Sequence, residues 1–282
     1  MGEATSQDWV GRTQVLTDTI TPAPARALAA TLNRLDLSEL RDGDAIQPLW
    51  SWLYFLPLAP SSQIGLDGHP RRGGFLPPVE LPRRMWAGSR CRFHAPLRIG
   101  DAVERTSTIA KVSEKTGKAG TMVFVTVRHE VSGPTGLVME EEQDIVFLAI
   151  PERFSPPEPT PLPPCDWREE VAVDPVLLFR FSALTFNAHR IHYDRTYASE
   201  VEKYPGLVVH GPLQAVLLFD AATRHAPDRT PAAFDFRGLR PLFDFDAVSV
   251  NGRTAETGDL QLFTANADGA VGMSASLEWA PA

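Results

Sequence analysis

Asn187, His189 and His192 fall within six residues of one another, and His210 stands immediately before Gly211-Pro212. An imidazole with its ordinary pKa near 6.5 gives or takes a proton at neutral pH, so His192 is a candidate to exchange the proton of a water molecule. Asn187 can orient that water or a substrate carbonyl, or simply close an Asx-turn. Gly211-Pro212 reads as the opening of a helix, whose first N–H groups lack internal partners and carry the positive end of the helix dipole. Gly211 lets a ligand approach the backbone closely, and Pro212 has no donor to leave unsatisfied. A thioester carbonyl set against such a helix start would be polarised toward an enolate, the intermediate of adding or removing water at the β-carbon. His210, Asp194 and His189 are the supporting polar groups of the same stretch.

Other chemistries fit these residues less well. His189-x-x-His192 with His210 and Asp194 supplies ligand types for zinc, but lacks the helical spacing that aims two imidazoles at one metal, so no metal is expected. Ser182 lies in no Gly-x-Ser-x-Gly elbow, and neither Cys91 nor Cys165 has a histidine beside it in sequence.

The elements that must position this stretch can be read on either side of it. Residues 211–226 carry Leu213, Val216, Leu217 and Phe219, a broad apolar face on one helix. Downstream, FDFRGLRPLF, FDAVSVNG, GDLQLFTANADG and AVGMSASLEWA alternate strand-forming runs with turns at Asn251-Gly252 and Asp268-Gly269. The first half repeats the plan. A helix is expected over 22–35, with Thr21 as its cap and Pro22 in its first turn. Strands are expected in DAVERTSTIAKVSEK, TMVFVTVRHEV and VMEEEQDIVFLAI, separated by TGKAG and SGPTG turns. A faint internal repeat links the halves, because Pro96-Leu97 with Asp101-Ala102-Val103 matches Pro241-Leu242 with Asp246-Ala247-Val248 at identical spacing. A helix preceding an antiparallel meander is what a curved sheet wrapping a central helix requires, and two such units make a pseudo-dimer. Between them, the stretch PERFSPPEPTPLPPC holds seven prolines, which remove backbone donors and leave an extended linker.

Composition sets the outer limits. The 282 residues, 43% of them hydrophobic, suffice for a core of one large or two ordinary domains. A formal net charge of -8 argues against nucleic acid as a partner, since such binding needs cations to neutralise phosphates. Arg83, Arg84, Arg90 and Arg92 can still form a local positive patch for a phosphorylated small molecule. No apolar run reaches the roughly 18 to 20 residues of a membrane span, and the start MGEATSQDWVGR shows no export signal, so a cytoplasmic location is expected. Two cysteines fit a reducing compartment.

The stretch Phe186-Asn187-Ala188-His189-Arg190-Ile191-His192, followed by His210-Gly211, resembles the MaoC-like hydratases, also called hydratase 2 enzymes, which are hot-dog folds acting on acyl thioesters. Their motif runs Gly-Asp-x-Asn-Pro-Ile-His and is followed by a His-Gly pair opening the hot-dog helix. The histidine matches, while Asn187 stands where that family has its aspartate. Phe181 to Asp194, Trp52 to Leu56, Met85 to Arg90 and Phe236 to Leu242 are similar to the subgroup of type 2 3-hydroxyacyl-thioester dehydratases and, more closely, mesaconyl-C4-CoA hydratases.

This resemblance implies an α+β double hot dog. Residues 1–150 would form an N-terminal hot dog of FAS1-like dehydratase type without a catalytic histidine, 151–166 the linker, and 167–282 the C-terminal hot dog carrying the catalytic loop. Shifting back from His192 by the repeat interval lands on Gln47, and no histidine precedes His69, so one site per chain is expected. The activity implied is reversible addition of water to an α,β-unsaturated acyl-CoA. The acyl group would be a short branched dicarboxylic one, as in conversion of mesaconyl-C4-CoA or itaconyl-CoA to citramalyl-CoA. The alternatives are a 3-hydroxyacyl-thioester dehydratase of fatty acid synthesis and a non-catalytic acyl-thioester binding subunit. His192, Asn187 and Gly211 would carry the chemistry without a cofactor, coenzyme A being part of the substrate. Asparagine is no base, so Asp194 could orient or replace it. Arg190 would bind the free carboxylate through its fork, with Arg90 and Arg84 as further substrate-binding cations. Two double hot-dog chains could pair as a homodimer.

Overall fold

A computed structural model describes residues 6–117 and 120–281. The first five residues, part of the start read above as lacking an export signal, lie outside the described residues, as do Lys118 and Ala119 of the expected TGKAG turn. Ten strands and three α-helices follow in order: β1 (Thr13–Thr19), α1 (Pro22–Thr31), β2 (Arg83–Phe93), β3 (Ala102–Gly117), β4 (Gly120–Gly133), β5 (Gly136–Leu148), β6 (Trp167–Val171), α2 (Pro175–Leu184), α3 (Gly211–His225), β7 (Pro231–Gly238), β8 (Val248–Thr254), β9 (Leu260–Ala265) and β10 (Val271–Trp279).

The strands form one continuous sheet in the order β1-β3-β4-β5-β2-β7-β10-β9-β8-β6, antiparallel throughout. Read from each edge inward, the two sets of five have the same order, so the halves are related by a pseudo-twofold at the β2–β7 junction. There Gly88 pairs Arg237 and Cys91 pairs Phe234. The faint sequence repeat is one turn built twice. Ile46 N–H donates to Leu97 O at 2.9 Å and Val209 N–H to Leu242 O at 2.8 Å. Arg98 N–H meets Asp101 Oδ2 at 2.9 Å, and Phe243 N–H meets Asp246 Oδ2 at 2.8 Å. This equivalence sets Gln47 opposite His210 rather than His192, where the sequence interval puts it.

The halves differ in what they wrap. In the C-terminal half α3 is the central helix, burying Leu213, Leu218 and Phe219 against Phe234, Leu262 and Leu277. At the matching place the N-terminal half has only a 3₁₀ turn, Pro48–Leu53, filled by the buried Trp50. The helix expected over 22–35 forms, ends at Thr31 before the left-handed Asn33 at φ 56, and packs on α2 instead of serving as that central helix. Thr21 sits at its N-cap without a side-chain bond. The proline-rich stretch makes no helix or named strand, but it is held down: Pro161 bridges Ala270, and Leu162 N–H donates to Gly269 O at 2.8 Å. Among the described residues no helix is long and apolar enough to cross a membrane.

Candidate active site

The chain enters the site through α2. Asp174 caps it by accepting Leu177 N–H at 2.7 Å, and Pro175 fills its first turn. After Leu184 the chain reverses at Phe186, whose φ is 51. Asn187 N–H then returns to Ser182 O at 2.8 Å, and its Oδ1 accepts His189 N–H at 3.0 Å. Asn187 therefore makes the Asx-turn, leaving only its Nδ2 for a water or carbonyl. A 3₁₀ turn, Arg190–His192, carries His192 inward. The polypeptide comes back at Val208, whose N–H donates to Ile191 O at 3.0 Å, and His210 occupies the N-cap of α3. Gly211 is the first residue of that helix and Pro212 the second.

Three imidazoles meet between these segments. The His192 ring stacks on His210 with centroids 3.6 Å apart and planes at 19°, while His189 meets His192 edge-on at 5.4 Å. His192 Nδ1 lies 2.7 Å from Val208 O, an atom that can only accept, so the proton is on Nδ1 and Nε2 keeps a lone pair. His210 Nε2 is 2.8 Å from Ser182 Oγ. Burial pushes His192 down to about 3, helped by repulsion from His189, and drives His210 well below the usual histidine range. Both rings are neutral at pH 7, as two stacked imidazoles in a dry site must be. Their nitrogens are engaged singly, and among the described residues no group of three or more His, Cys, Asp or Glu has a metal-holding arrangement.

Behind His189 stands a group that reading the sequence missed. Glu202 is 1% exposed; its Oε1 lies 3.3 Å from His189 Nε2 and its Oε2 accepts Arg83 Nε at 3.0 Å. Arg83 also donates to Glu202 O and stacks on Tyr204, its guanidinium 4.4 Å from the ring centre. Only the crowding of polar residues after His192 hinted at such a network. The partner Arg83 lies on β2, in the other half of the chain.

The N-terminal half contributes a second wall. A turn at Gly65–His69 docks on the loop of residues 187–192, with Arg190 N–H donating to Asp67 O at 2.9 Å. Gly68 has φ +90, and a Cβ there would run into the Ala188 carbonyl, so the close approach demands glycine. Next to it, His69 Nδ1 meets Asp67 Oδ2 at 3.0 Å, and the His69 ring lies 4.2 Å from that of His189. From β2, Trp86 O faces Gly211, 3.5 Å from where a Cβ would stand. That is ordinary contact, so protein packing alone does not forbid a side chain at Gly211.

The remaining expected residues fall elsewhere. Asp194 does not face His192; it accepts Tyr197 N–H at 3.0 Å and pairs with Arg190 at 2.7 Å, holding the following π-helical turn. Arg190 is accordingly engaged on Asp194, donates to Leu66 O at 3.1 Å and lies 4.3 Å from the Tyr197 ring centre. Its fork has no free edge for a substrate carboxylate. Arg90 pairs with Glu142 at 3.0 Å and Asp144 at 2.7 Å and is partly exposed. Arg84 alone of these cations stands beside the histidines, near Asp67 and His69.

The sequence profile of a family described as hydroxyacyl-thioester dehydratase type 2 matches residues 49–244. Over 281 residues, 99% of both chains, the sequence is 48% identical to the mesaconyl-C(4)-CoA hydratase of Chloroflexus aurantiacus. A MaoC-like dehydratase from Phytophthora capsici has a similar structure, with TM-score 0.70 and 16% identity over 96% of this chain and 97% of that one. So does a Mycobacterium tuberculosis protein described as having a double hotdog fold, with TM-score 0.56 and 16% identity over 98% of each chain. Together with the ten-stranded sheet these likenesses establish the α+β double hot dog.

Proposed function

This chain belongs to the hydroxyacyl-thioester dehydratase type 2 family, and from that premise we propose that it is a hydro-lyase adding water reversibly to an α,β-unsaturated acyl-CoA, with mesaconyl-C4-CoA as its substrate. One observation carries the reading: a neutral His192, its Nδ1 fixed on a carbonyl and its Nε2 lone pair free, stacked over the N-terminus of α3. The thioester oxygen lies against the Gly211 N–H, where helix dipole and unpaired donor stabilise the enolate oxygen. His192 Nε2 takes a proton from water as its oxygen bonds to the β-carbon, and the imidazolium returns that proton to the α-carbon of the enolate, yielding a 3-hydroxyacyl-CoA. Asn187 Nδ2 holds the water. His189, backed by Glu202, is the second imidazole of the site, in place of the family's aspartate.

No group besides the substrate's coenzyme A takes part. We take the chain to work in the cytoplasm, as its two unpaired cysteines suit, and to pair with a second copy over the exposed Val176, Phe179 and Phe186. Following the enoyl-thioester absorbance with mesaconyl-, itaconyl- and crotonyl-CoA tests the activity. Mesaconyl-C4-CoA should lose its absorbance fastest. Turnover confined to straight 3-hydroxyacyl substrates would replace this reading with the fatty acid dehydratase, and no change with any thioester would leave a binding subunit.

A further inference from the structure

Arg84 is an arginine without a partner in an enclosed place. Among the described arginines, the others with no hydrogen bond, ion pair or ring beneath them are all exposed at the surface, whereas Arg84 is only partly accessible. Enclosure by protein pushes its guanidinium down to about 10, even with the Asp67 carboxylate nearby to hold the charge. Asp67 does not close on it as an ion pair. Its oxygens accept from His69 Nδ1 at 3.0 Å and from His69 N–H at 3.0 Å, within its own turn. A shielded cation whose neighbouring carboxylate is bonded to another group is costly to keep unless a ligand completes it.

Two lines bring Arg84 to the surroundings of His192 and Gly211. Along the side chains, its charge acts on His69, whose ring touches His189, which in turn meets His192. Along the backbone, Arg84 is two residues from Trp86 on β2, roughly 7 Å along the strand from the residue whose carbonyl borders Gly211. We propose that Arg84 forms a carboxylate subsite that binds the free acid of a dicarboxylic acyl-CoA whose thioester carbonyl lies at Gly211. This inference rests on the hydratase reading and adds to it the determinant of substrate choice. A planar guanidinium matches a carboxylate with two parallel N–H donors. The phosphates of coenzyme A belong beyond the pantetheine arm, too far from the thioester for a group so close to Gly211 to meet them.

The test compares wild type, Arg84→Met and Arg84→Lys on mesaconyl-C4-CoA and on crotonyl-CoA, which lacks the second carboxylate. Arg84→Met should lower kcat/KM for mesaconyl-C4-CoA by about 10²-fold while crotonyl-CoA changes by less than roughly threefold, and Arg84→Lys should recover part of the loss. Turnover of crotonyl-CoA by the variants reports that they fold. Equal loss on both thioesters assigns Arg84 to a coenzyme A phosphate or to the fold and overturns the subsite, as does no loss on either. A wild type active on crotonyl-CoA alone also overturns it while the hydratase activity stands. A wild type inactive on both removes the hydratase reading itself.

Discussion

His192 owes its use as a base to the Val208 carbonyl, which holds the proton on Nδ1 and leaves Nε2 open. His192→Ala should therefore lower kcat by roughly 10² or more with the fold intact, and near-normal turnover would remove the residue from the mechanism. Because burial keeps this imidazole neutral down to about pH 3, kcat/KM of the wild type should show no inflection near 6.5, the ordinary histidine value. Asn187→Asp tests the same point from the other side. The carboxylate can still accept His189 N–H and keep the turn, but its charge beside the imidazoles favours their protonated forms. An acid limb should then appear within the assay range; identical profiles would show that position 187 does not act on the histidines. His192, Asn187 and Gly211 were legible because they lie in one short motif and at one helix start. Glu202 and the true neighbours of Arg190 were not, since each depends on which distant segment folds against the loop.

At the level of elements, α3 does two things at once: its buried face centres the C-terminal core, and its first residue, Gly211, follows directly on His210 of the imidazole cluster. Its sequence showed both, through the apolar face from Leu213 to Phe219 and the Gly-Pro opening. Seven of the ten strands were equally plain, each bounded by its turn, whereas β1, β2 and β6 were not read. Helix α2 was not read, although Asp174-Pro175 is a capped start, because its ten residues run straight into the polar cluster that drew attention. Nor could the sequence tell that the first half has a 3₁₀ turn where the second has a helix, for the volume around Trp50 is a property of packing. The two roles of α3 separate in Gly211→Ala. The helix gains propensity and a Cβ there meets Trp86 O only at 3.5 Å, so thermal stability should hold or rise slightly. The methyl nevertheless stands where the thioester oxygen must approach, and kcat should fall by about tenfold or more. A variant that keeps full activity would place the carbonyl elsewhere.

Across the whole molecule, one sheet and one shared set of buried groups tie the halves into a single folding unit. The Arg34 side chain, before β2, pairs with Asp220 in the middle of α3, and Arg83 reaches Glu202. Four imidazoles are carried neutral in this unit: His192 at about 3 and His129 at about 4, with His69 and His210 well below the usual range, burial being the main cause for each. Their folded values lie below those of the unfolded chain, so between the two the unfolded chain binds more protons and stability rises with pH. The contribution is intact above about pH 6.5 and is lost as pH falls toward the folded values, at up to about 1.4 kcal/mol per pH unit for each imidazole. Against a typical margin of about 5 to 15 kcal/mol, four such groups unfold the protein within a few pH units. Glu141 and Asp246 work in the opposite direction, their carboxyls being pushed up by burial, but they are two groups against four. Urea denaturation followed by circular dichroism should thus show a midpoint distinctly lower at pH 5.5 than at 7.5, in one transition. His129 offers the decisive variant, since it sits on β4 outside the 187–192 loop, between Ser107 Oγ at 2.8 Å and Gln143 Oε1 at 3.3 Å. His129→Gln should reduce the pH dependence of stability by about one proton while leaving turnover at pH 7.5 near wild type. If the midpoint does not move between the two pH values, or moves equally in the variant, the buried neutral histidines do not set the acid limit of this fold.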